Sequence, residues 1–118
     1  MPQANITIDV RKPTGDASVL DVQGEITGFA EEVLMAAYNQ ASQNGVKNII
    51  LNFNELDYMN SSGIGLLVTL LIRIQRQKQR LLAYGLNEHY QQIFELTRLD
   101  EAIGLYTDEA EALTSVKR

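Results

Sequence analysis

The sequence predicts a single α/β domain over residues 1–118: a small mixed β-sheet with an N-terminal hairpin, covered by about four helices. The chain has 118 residues, which is the size of one ordinary domain and enough to bury one core. Hydrophobic residues make up 45% of it and charged residues 21%, both typical of globular domains. Short strand-like runs alternate with helical runs along the chain, an order typical of layered α/β folds.

The N-terminal segment predicts a β-hairpin. Apolar residues at alternate positions over 6–10 indicate a first strand with one apolar face. Segment 12–16 holds a proline and a glycine and predicts a turn. Residues 19–23 predict the second strand, which Gly24 is expected to end.

The rest of the chain predicts three more strands and four helices. In order, these are a helix over 29–41, a central strand over 48–53, a helix over 62–78, a strand over 81–84, a helix over 88–96, an edge strand over 103–106 and a last helix over 108–116. Gly45 is placed to cap the first helix, and Asp108 and Glu111 have the spacing of a capping box. The apolar run 49–51 is expected of a strand that is covered on both faces.

Two helices have apolar faces that are expected in the core. Over 62–78 the predicted core stripe is Ile64, Leu67, Val68, Leu71 and Ile74, widened by Leu66 and Leu70. Over 88–96 the predicted core residues are Tyr90, Ile93, Phe94 and Leu96. Packing against the sheet explains the broad apolar surface of the first of these helices; binding of a lipid or of a partner helix is the alternative.

Composition excludes several classes of function. The chain has no cysteine, which excludes disulfides, iron–sulfur clusters, thiolate zinc sites and cysteine nucleophiles. Glu55 and Asp57 lack further partners at ligand spacing, so neither a metal nor a cofactor is predicted. The apolar stretch 63–72 is too short to cross a bilayer, and the N-terminus lacks signal-peptide features. These observations predict a cytoplasmic protein without a membrane span.

The charge of the chain is unevenly distributed. The net charge of −5 argues against direct nucleic-acid binding. The segment 58–87 nevertheless carries four positive charges and no negative one, so the remainder carries −9. The four bases are Arg73, Arg76, Lys78 and Arg80. Cations at the end of a helix complement its dipole, which is the ordinary explanation; a partner-binding patch is the alternative.

The segment 56–67, between the central strand and the next helix, is the most informative part of the chain. Ser61 and Ser62 stand at the expected start of the helix, and Gly63 and Gly65 follow in its first turns. A serine is a preferred N-cap. A cap does not explain the two glycines, because each costs roughly 1 kcal/mol in a helix interior. Glycines there indicate that another helix, a partner surface or a phosphate approaches the backbone closely.

A phosphate at this helix start has a physical rationale. The free amides and the positive end of the helix dipole favour an anion. A phosphoserine carries about −1.5 to −2 charges, which the domain would tolerate and a docked partner would not.

At these residues the sequence resembles the sulfate-transporter and anti-sigma-antagonist (STAS) domains, most closely the bacterial anti-sigma factor antagonists. The resemblance covers almost the whole chain. Its most specific element is the segment 60–65, Asn-Ser-Ser-Gly-Ile-Gly. The segments 24–26, 49–53 and 94–99 match the family pattern in the same order.

The resemblance implies a partner-switching function for a protein that is not an enzyme. Ser61 matches the family's phosphoacceptor serine. An unphosphorylated antagonist binds an anti-sigma factor that is also a serine/threonine kinase, and so frees a sigma factor. The kinase then phosphorylates the antagonist, and a PP2C-type phosphatase resets it. By the same resemblance, Ser62 is expected to cap the helix, and Gly63 and Gly65 to permit close docking. The predicted partner-binding residues are Asn60, Ser61, Ser62, Gly63, Ile64, Gly65, Glu25 and Thr27.

Two departures from the family pattern motivate a second hypothesis. Asn60 stands where the family usually has aspartate, and Thr27 where an acidic residue is common. Both changes remove negative charge beside Ser61. They favour a STAS-like scaffold or accessory subunit that is not phosphorylated, in a stress-signalling or lipid-transport complex.

A small hydrolase that uses Ser61 and His89 is a third hypothesis. The Gly-x-Ser-x-Gly elbow of such enzymes is absent, and no oxyanion element is apparent. His89 is better explained as a surface residue at a helix start.

Overall fold

The structure is a computed structural model that describes residues 5–117. Within this range, five strands and four α-helices follow one another in the predicted order. The strands are β1 (Ile6–Thr14), β2 (Ala17–Ile26), β3 (Asn48–Met59), β4 (Arg80–Tyr84) and β5 (Gly104–Tyr106). The helices are α1 (Glu31–Ala41), α2 (Ser61–Arg76), α3 (Glu88–Leu96) and α4 (Glu109–Val116). None of the helices in this part of the chain is long and apolar enough to cross a membrane.

The five strands form one mixed sheet in the order β1-β2-β3-β4-β5. β1 and β2 form the predicted antiparallel hairpin, and all the other neighbours are parallel. Each parallel connection passes through one of the helices α1, α2 and α3. The small mixed sheet and the four helices confirm the predicted fold class.

The sheet is covered on both faces, as the apolar run of the central strand predicts. Ile49 and Leu51 belong to the main core under α1, α2 and α3. Ile50 points to the other face, where it packs with Leu82 and with Ala112 of α4. Because successive side chains of a strand alternate between faces, a continuous apolar run is needed at this position.

The hairpin strands are longer than predicted. The strand β1 continues through Pro13 to Thr14, which pairs with Ala17. An edge strand tolerates proline, which has no amide hydrogen, because one side of its backbone forms no hydrogen bonds with a neighbouring strand. The prediction that Gly24 ends the second strand is wrong. Gly24 adopts a φ of +102° at an irregularity of β2, and the strand continues to Ile26.

The central strand is also longer than predicted, and its extension reaches the candidate site. It was expected to end at Phe53 but continues to Met59, where it pairs with Ile26 of β2. The β4 pairing stops at Asn52, so the extension is paired with β2 alone. Its residues are therefore largely polar and exposed, and hydrophobicity gave no signal for a strand there.

Several predictions about the helices are wrong, two on which residues are buried and others on where the first helix starts and how it ends. Val68 of α2 is 37% exposed and Ile64 is half-buried, whereas the other predicted residues of α2 are buried together with Gly63. Leu96 of α3 is 85% exposed, because Tyr90 and Phe94 define the buried face. The first helix starts at Glu31 after a 3-10 turn, and Gly45 ends a second 3-10 turn beyond α1 instead of capping α1 itself.

Candidate functional site

The start of α2 is fixed by Asn60. Its backbone is extended, and its side-chain Oδ1 accepts a hydrogen bond from the Gly63 amide at 2.9 Å. This is the geometry of an N-cap, for which asparagine is among the preferred residues. The prediction that Ser62 caps the helix is wrong, since Ser61 and Ser62 both lie inside the first turn.

Gly63 is buried against the end of β2. A Cβ atom at this position would lie 2.0 Å from the carbonyl oxygen of Ile26, a distance that no real side chain adopts. The same carbonyl accepts a hydrogen bond from the Asn60 amide at 3.3 Å. An internal contact with the end of β2 therefore explains Gly63, and not the predicted approach of another helix, a partner surface or a phosphate. Gly65 is exposed, and a Cβ there would meet nothing within 4 Å.

The connection between β2 and α1 lies beside this first turn. Thr27 caps the 3-10 turn Gly28–Ala30, because its Oγ1 accepts from the Phe29 amide at 3.3 Å. A Cβ atom on Gly28 would lie 3.5 Å from the Cβ of Ser62. The predicted residues Glu25 and Thr27 are both half-buried. The structure thus brings the connection that holds Thr27 beside the first turn of α2, while Glu25 lies two residues earlier, within β2.

The predicted phosphoacceptor is accessible. Ser61 and Ser62 are both exposed, whereas Asn60 and Ile64 are half-buried. The first turn of α2 contains no acidic residue, so nothing within it offsets the positive end of the helix dipole. A phosphate on Ser61 would meet a favourable field and a solvated environment.

His89 does not join this site through a hydrogen bond. It is exposed on α3, and its ring lies edge-on to Tyr90 with 5.0 Å between the ring centroids. Within residues 5–117, no hydrogen bond joins His89 to either serine of the site. The serine–histidine pair that a hydrolase needs is therefore not assembled here.

Sequence reasoning missed one residue that supports the site. The hydroxyl oxygen of Tyr90 accepts a hydrogen bond from the backbone amide of Met59 at 2.8 Å. Met59 is the last residue of β3 and immediately precedes Asn60. Tyr90 is buried, so α3 holds the junction from which α2 starts. The two residues are 31 positions apart, and no local sequence pattern indicates the contact.

An ion-pair network centred on Arg11 joins β1, β2 and α4. Arg11 of β1 forms ion pairs with Asp21 of β2 and Glu109 of α4. The hydrogen bond from Arg11 lowers the pKa of Asp21 and that of Glu109. Burial, and then a hydrogen bond to Glu109, raise the pKa of Tyr84. This network joins α4 to the sheet and is structural.

The strand order and the three crossover helices define a small α/β domain with a mixed sheet and an N-terminal hairpin. The family model for the STAS domain matches residues 7–112. The chain belongs to the STAS domain family, which confirms the resemblance drawn from the segment 60–65 and the flanking motifs.

Curated relatives and solved structures are consistent with this family. The anti-sigma-B factor antagonist of Listeria monocytogenes is 27% identical over 108 residues, which cover 91% of this chain and 94% of that protein. The anti-sigma-B factor antagonist of Staphylococcus aureus is 28% identical over 80 residues, covering 68% of this chain and 74% of that protein.

Two solved structures share the fold over nearly the whole chain. An anti-sigma factor antagonist from Mycobacterium paratuberculosis has a TM-score of 0.81 at 22% identity, covering 99% of this chain and 100% of its own. At that identity the likeness shows the fold alone. The Bacillus cell fate determinant SpoIIAA in its phosphorylated form has a TM-score of 0.72 at 26% identity, covering 94% of this chain and 100% of its own.

Proposed function

We propose that this protein is an anti-sigma factor antagonist that is switched by phosphorylation of Ser61. In its unphosphorylated form it binds an anti-sigma factor serine/threonine kinase in the cytoplasm and so frees a sigma factor. Phosphorylation ends the complex, and a PP2C-type phosphatase restores the binding form. The protein itself catalyses no reaction. The observation that carries the proposal is the position of Ser61, exposed in the first turn of α2 beside a cap that Asn60 provides.

Phosphorylation of Ser61 is expected to affect binding of the partner without unfolding the domain. A phosphate there lies at a helix N-terminus, where an anion is favoured by about 0.3–1 kcal/mol or more. The domain would therefore stay folded when phosphorylated. A partner seated on the same turn would instead face an added charge of about −1.5 to −2.

The remaining proposed contacts come from the two connections around the first turn of α2. Asn60, Ser62, Ile64 and Gly65 supply the α2 side, and the buried Gly63 contributes by seating α2 against β2. Glu25 and Thr27 supply the β2 side. Gly28 lies close to Ser62, so the connection that holds Thr27 borders the first turn of α2. The comparison with anti-sigma-B factor antagonists supports the proposed class of function.

Asn60 favours a second candidate function, a STAS-like scaffold or accessory subunit without phosphorylation. The Asn60 side chain caps α2 through its oxygen, and an aspartate carboxylate would make the same hydrogen bond. The neutral amide is therefore not required by the fold, and it removes a charge beside Ser61. A scaffold would bind its partner whatever the state of Ser61.

Phosphate mapping tests the proposed function. The protein is incubated with ATP and each purified anti-sigma factor kinase of its source organism, and the product is mapped by mass spectrometry. We expect one phosphate on Ser61 in the wild-type protein and in Ser62→Ala, and none in Ser61→Ala. Ser62 is the matched control because it is also an exposed serine in the same turn. Stable kinase binding without any phosphate would support the scaffold.

Binding by phosphate mimics tests the switch itself. We expect Ser61→Ala to bind the kinase like the wild type and Ser61→Asp to bind at least tenfold more weakly, because a carboxylate introduces charge into the contact. Ser62→Asp is expected to weaken binding less. Equal binding by Ser61→Ala and Ser61→Asp would contradict the switch.

A further inference from the structure

A groove between α1 and α2 extends the candidate site along the surface. It has a volume of about 380 Å³ and is lined by Glu31, Met35, Thr69, Ile72, Arg73 and Arg76. The first two of these residues lie on α1 and the others on α2. The groove thus lies along α2 in the direction that leads away from Ser61.

The exposed face of α2 is one continuous stripe that begins at Ser61. Residues three or four positions apart lie on the same helix face. The stripe comprises Ser61, Gly65, Val68, Thr69, Ile72, Arg73 and Arg76. Two of its members are apolar and exposed, Val68 by 37% and Ile72 by 44%. Phe29, in the 3-10 turn beside the start of α2, is 60% exposed.

The far end of the stripe is positively charged. Within residues 5–117 the ion pairs involve Arg11 and Arg98, so neither Arg73 nor Arg76 is paired. The guanidinium of Arg73 lies 5.9 Å from the ring centroid of Tyr38, a contact that holds it at the rim of the groove. The helix dipole explains a cation at the end of α2. It does not explain exposed apolar residues beside that cation.

These features fit a protein partner better than a polyanion. The groove combines one carboxylate, Glu31, with two guanidinium groups and exposed apolar side chains, whereas a uniformly anionic surface such as nucleic acid or anionic lipid calls for cations alone. A groove between two helices, with apolar residues and charged rims, is the geometry that receives an amphipathic helix. Because Arg73 and Arg76 form no ion pair within the described part of the chain, carboxylates on that helix would complement them.

We infer that the groove between α1 and α2 binds an acidic amphipathic helix of the partner. Its apolar side chain is seated between Met35 and Ile72, and its carboxylates face Arg73 and Arg76. Ser61 and Arg76 are fifteen residues apart on α2, which is about 22 Å at about 1.5 Å per residue. The contact is therefore about four helical turns long, with the phosphorylated residue at one end and the steering charges at the other. This inference rests on the proposed function, since it extends the same interface.

Charge reversal at the end of the stripe tests the electrostatic part. The probes are the purified anti-sigma factor kinases of the source organism, and association is followed by surface plasmon resonance at low and high salt. We expect Arg76→Glu to lower the association rate about tenfold at low salt and the difference to shrink at high salt. Lys12→Glu on β1 is the matched control, an equal charge change at an exposed residue outside the groove. Arg76→Gln, which adds no repulsion, is expected to give a smaller loss.

Truncation of the apolar anchor tests the packing part. We expect Ile72→Ser to raise the dissociation rate about tenfold, since anchors in a groove act mainly on dissociation. Leu96→Ser is the control, because Leu96 is 85% exposed on α3 outside the groove. Circular dichroism verifies that each variant is folded.

The possible outcomes separate this inference from the proposed function. Binding that Ser61→Asp abolishes, while Arg76→Glu and Ile72→Ser leave it unchanged, overturns the groove and leaves the switch intact. Equal losses in Arg76→Glu and Lys12→Glu also overturn the groove, because only net charge then matters. Binding to a DNA duplex or to anionic vesicles through Arg76 overturns it in favour of a polyanion. If no kinase binds the wild-type protein, both the groove and the switch are wrong.

Discussion

Gly63 of α2 lies directly against the carbonyl group of Ile26 at the end of β2. The contact is so close that a Cβ atom on Gly63 would lie 2.0 Å from that oxygen. The Asn60 amide donates to the same oxygen, so the start of α2 is held to β2 by a hydrogen bond and by close packing. These two contacts with the Ile26 carbonyl fix the distance of α2 from the sheet and its rotation about its own axis. They therefore also fix the direction in which Ser61 faces.

The first prediction follows from this contact. Gly63→Ala is expected to lower the free energy of unfolding by about 1–3 kcal/mol, because backbone must move to admit the methyl group. Gly65→Ala is the matched control in the same helix. A methyl group there meets nothing, so the exchange is expected to raise stability by up to about 1 kcal/mol. Urea unfolding measures both values, and a Gly63→Ala variant as stable as the wild type would contradict the close contact.

The second prediction concerns the cap at Asn60. Asn60→Ala removes the acceptor of the Gly63 amide and is expected to cost about 1 kcal/mol. Asn60→Asp keeps an acceptor in the same place and adds a charge that the helix dipole favours. It is therefore expected to be at least as stable as the wild type at neutral pH. Thermal unfolding measures the stability of both variants. Equal losses of stability in Asn60→Ala and Asn60→Asp would show that the side-chain oxygen does not cap α2.

The rotation of α2 shows why the core stripe could be predicted only approximately. Apolar spacing placed Val68 in the core, but the helix is apolar on several sides and spacing alone does not choose among them. The close contact at Gly63 fixes one orientation of the helix, in which the predicted Leu66 and Leu70 are buried and Val68 and Ile72 are exposed. The bounds of α3, with a narrower apolar face, match the prediction, although Leu96 lies outside that face.

The start of α2 could be predicted from the sequence, but the contacts that hold it in place could not. Two serines followed by glycines marked the helix start, and the cap signal of Asn60 was present because asparagine is a preferred N-cap. The contact between Tyr90 and Met59 joins residues far apart in the chain, and the Arg11 network joins β1 to α4. Such contacts depend on tertiary packing, which local patterns do not encode.

The third prediction concerns pH and the attachment of α4. Glu109 accepts hydrogen bonds from Arg11 at 2.6 Å and from the Tyr84 hydroxyl at 2.8 Å. The bond from Arg11 is the main reason that the pKa of Glu109 lies below its ordinary 4.5. A lowered folded-state pKa contributes stability that is fully present above the unfolded value. That stability is lost as the pH falls below 4.5 and through the folded-state pKa.

Glu109→Gln isolates this contribution. We expect the variant to be less stable than the wild type by on the order of 1 kcal/mol at neutral pH, and the difference to shrink in acid. Glu101→Gln is the control, because its pair with Arg98 spans 3.7 Å between well exposed side chains. Urea unfolding across the acid range gives the comparison. A stability difference that does not depend on pH would show that the Glu109 charge plays no part.

The fourth prediction tests whether α3 holds the junction that carries Ser61. Tyr90→Phe keeps the buried ring but removes the oxygen that pairs with the Met59 amide. Because Met59 is buried, its amide would lose a partner that water does not replace, at a cost of about 1–3 kcal/mol. Tyr58→Phe is the control, since Tyr58 is 48% exposed on the neighbouring position of β3.

Amide hydrogen exchange is the measurement that separates local from global effects of Tyr90→Phe. We expect the Met59 amide to exchange faster in this variant by more than the overall loss of stability accounts for, because its own hydrogen bond is gone. The amides in the middle of β4 are expected to change only with global stability. Unchanged protection of Met59 would mean that the sheet alone holds the junction. Faster exchange confined to Met59 and Asn60 would identify the Tyr90 hydroxyl as the group that positions the start of α2.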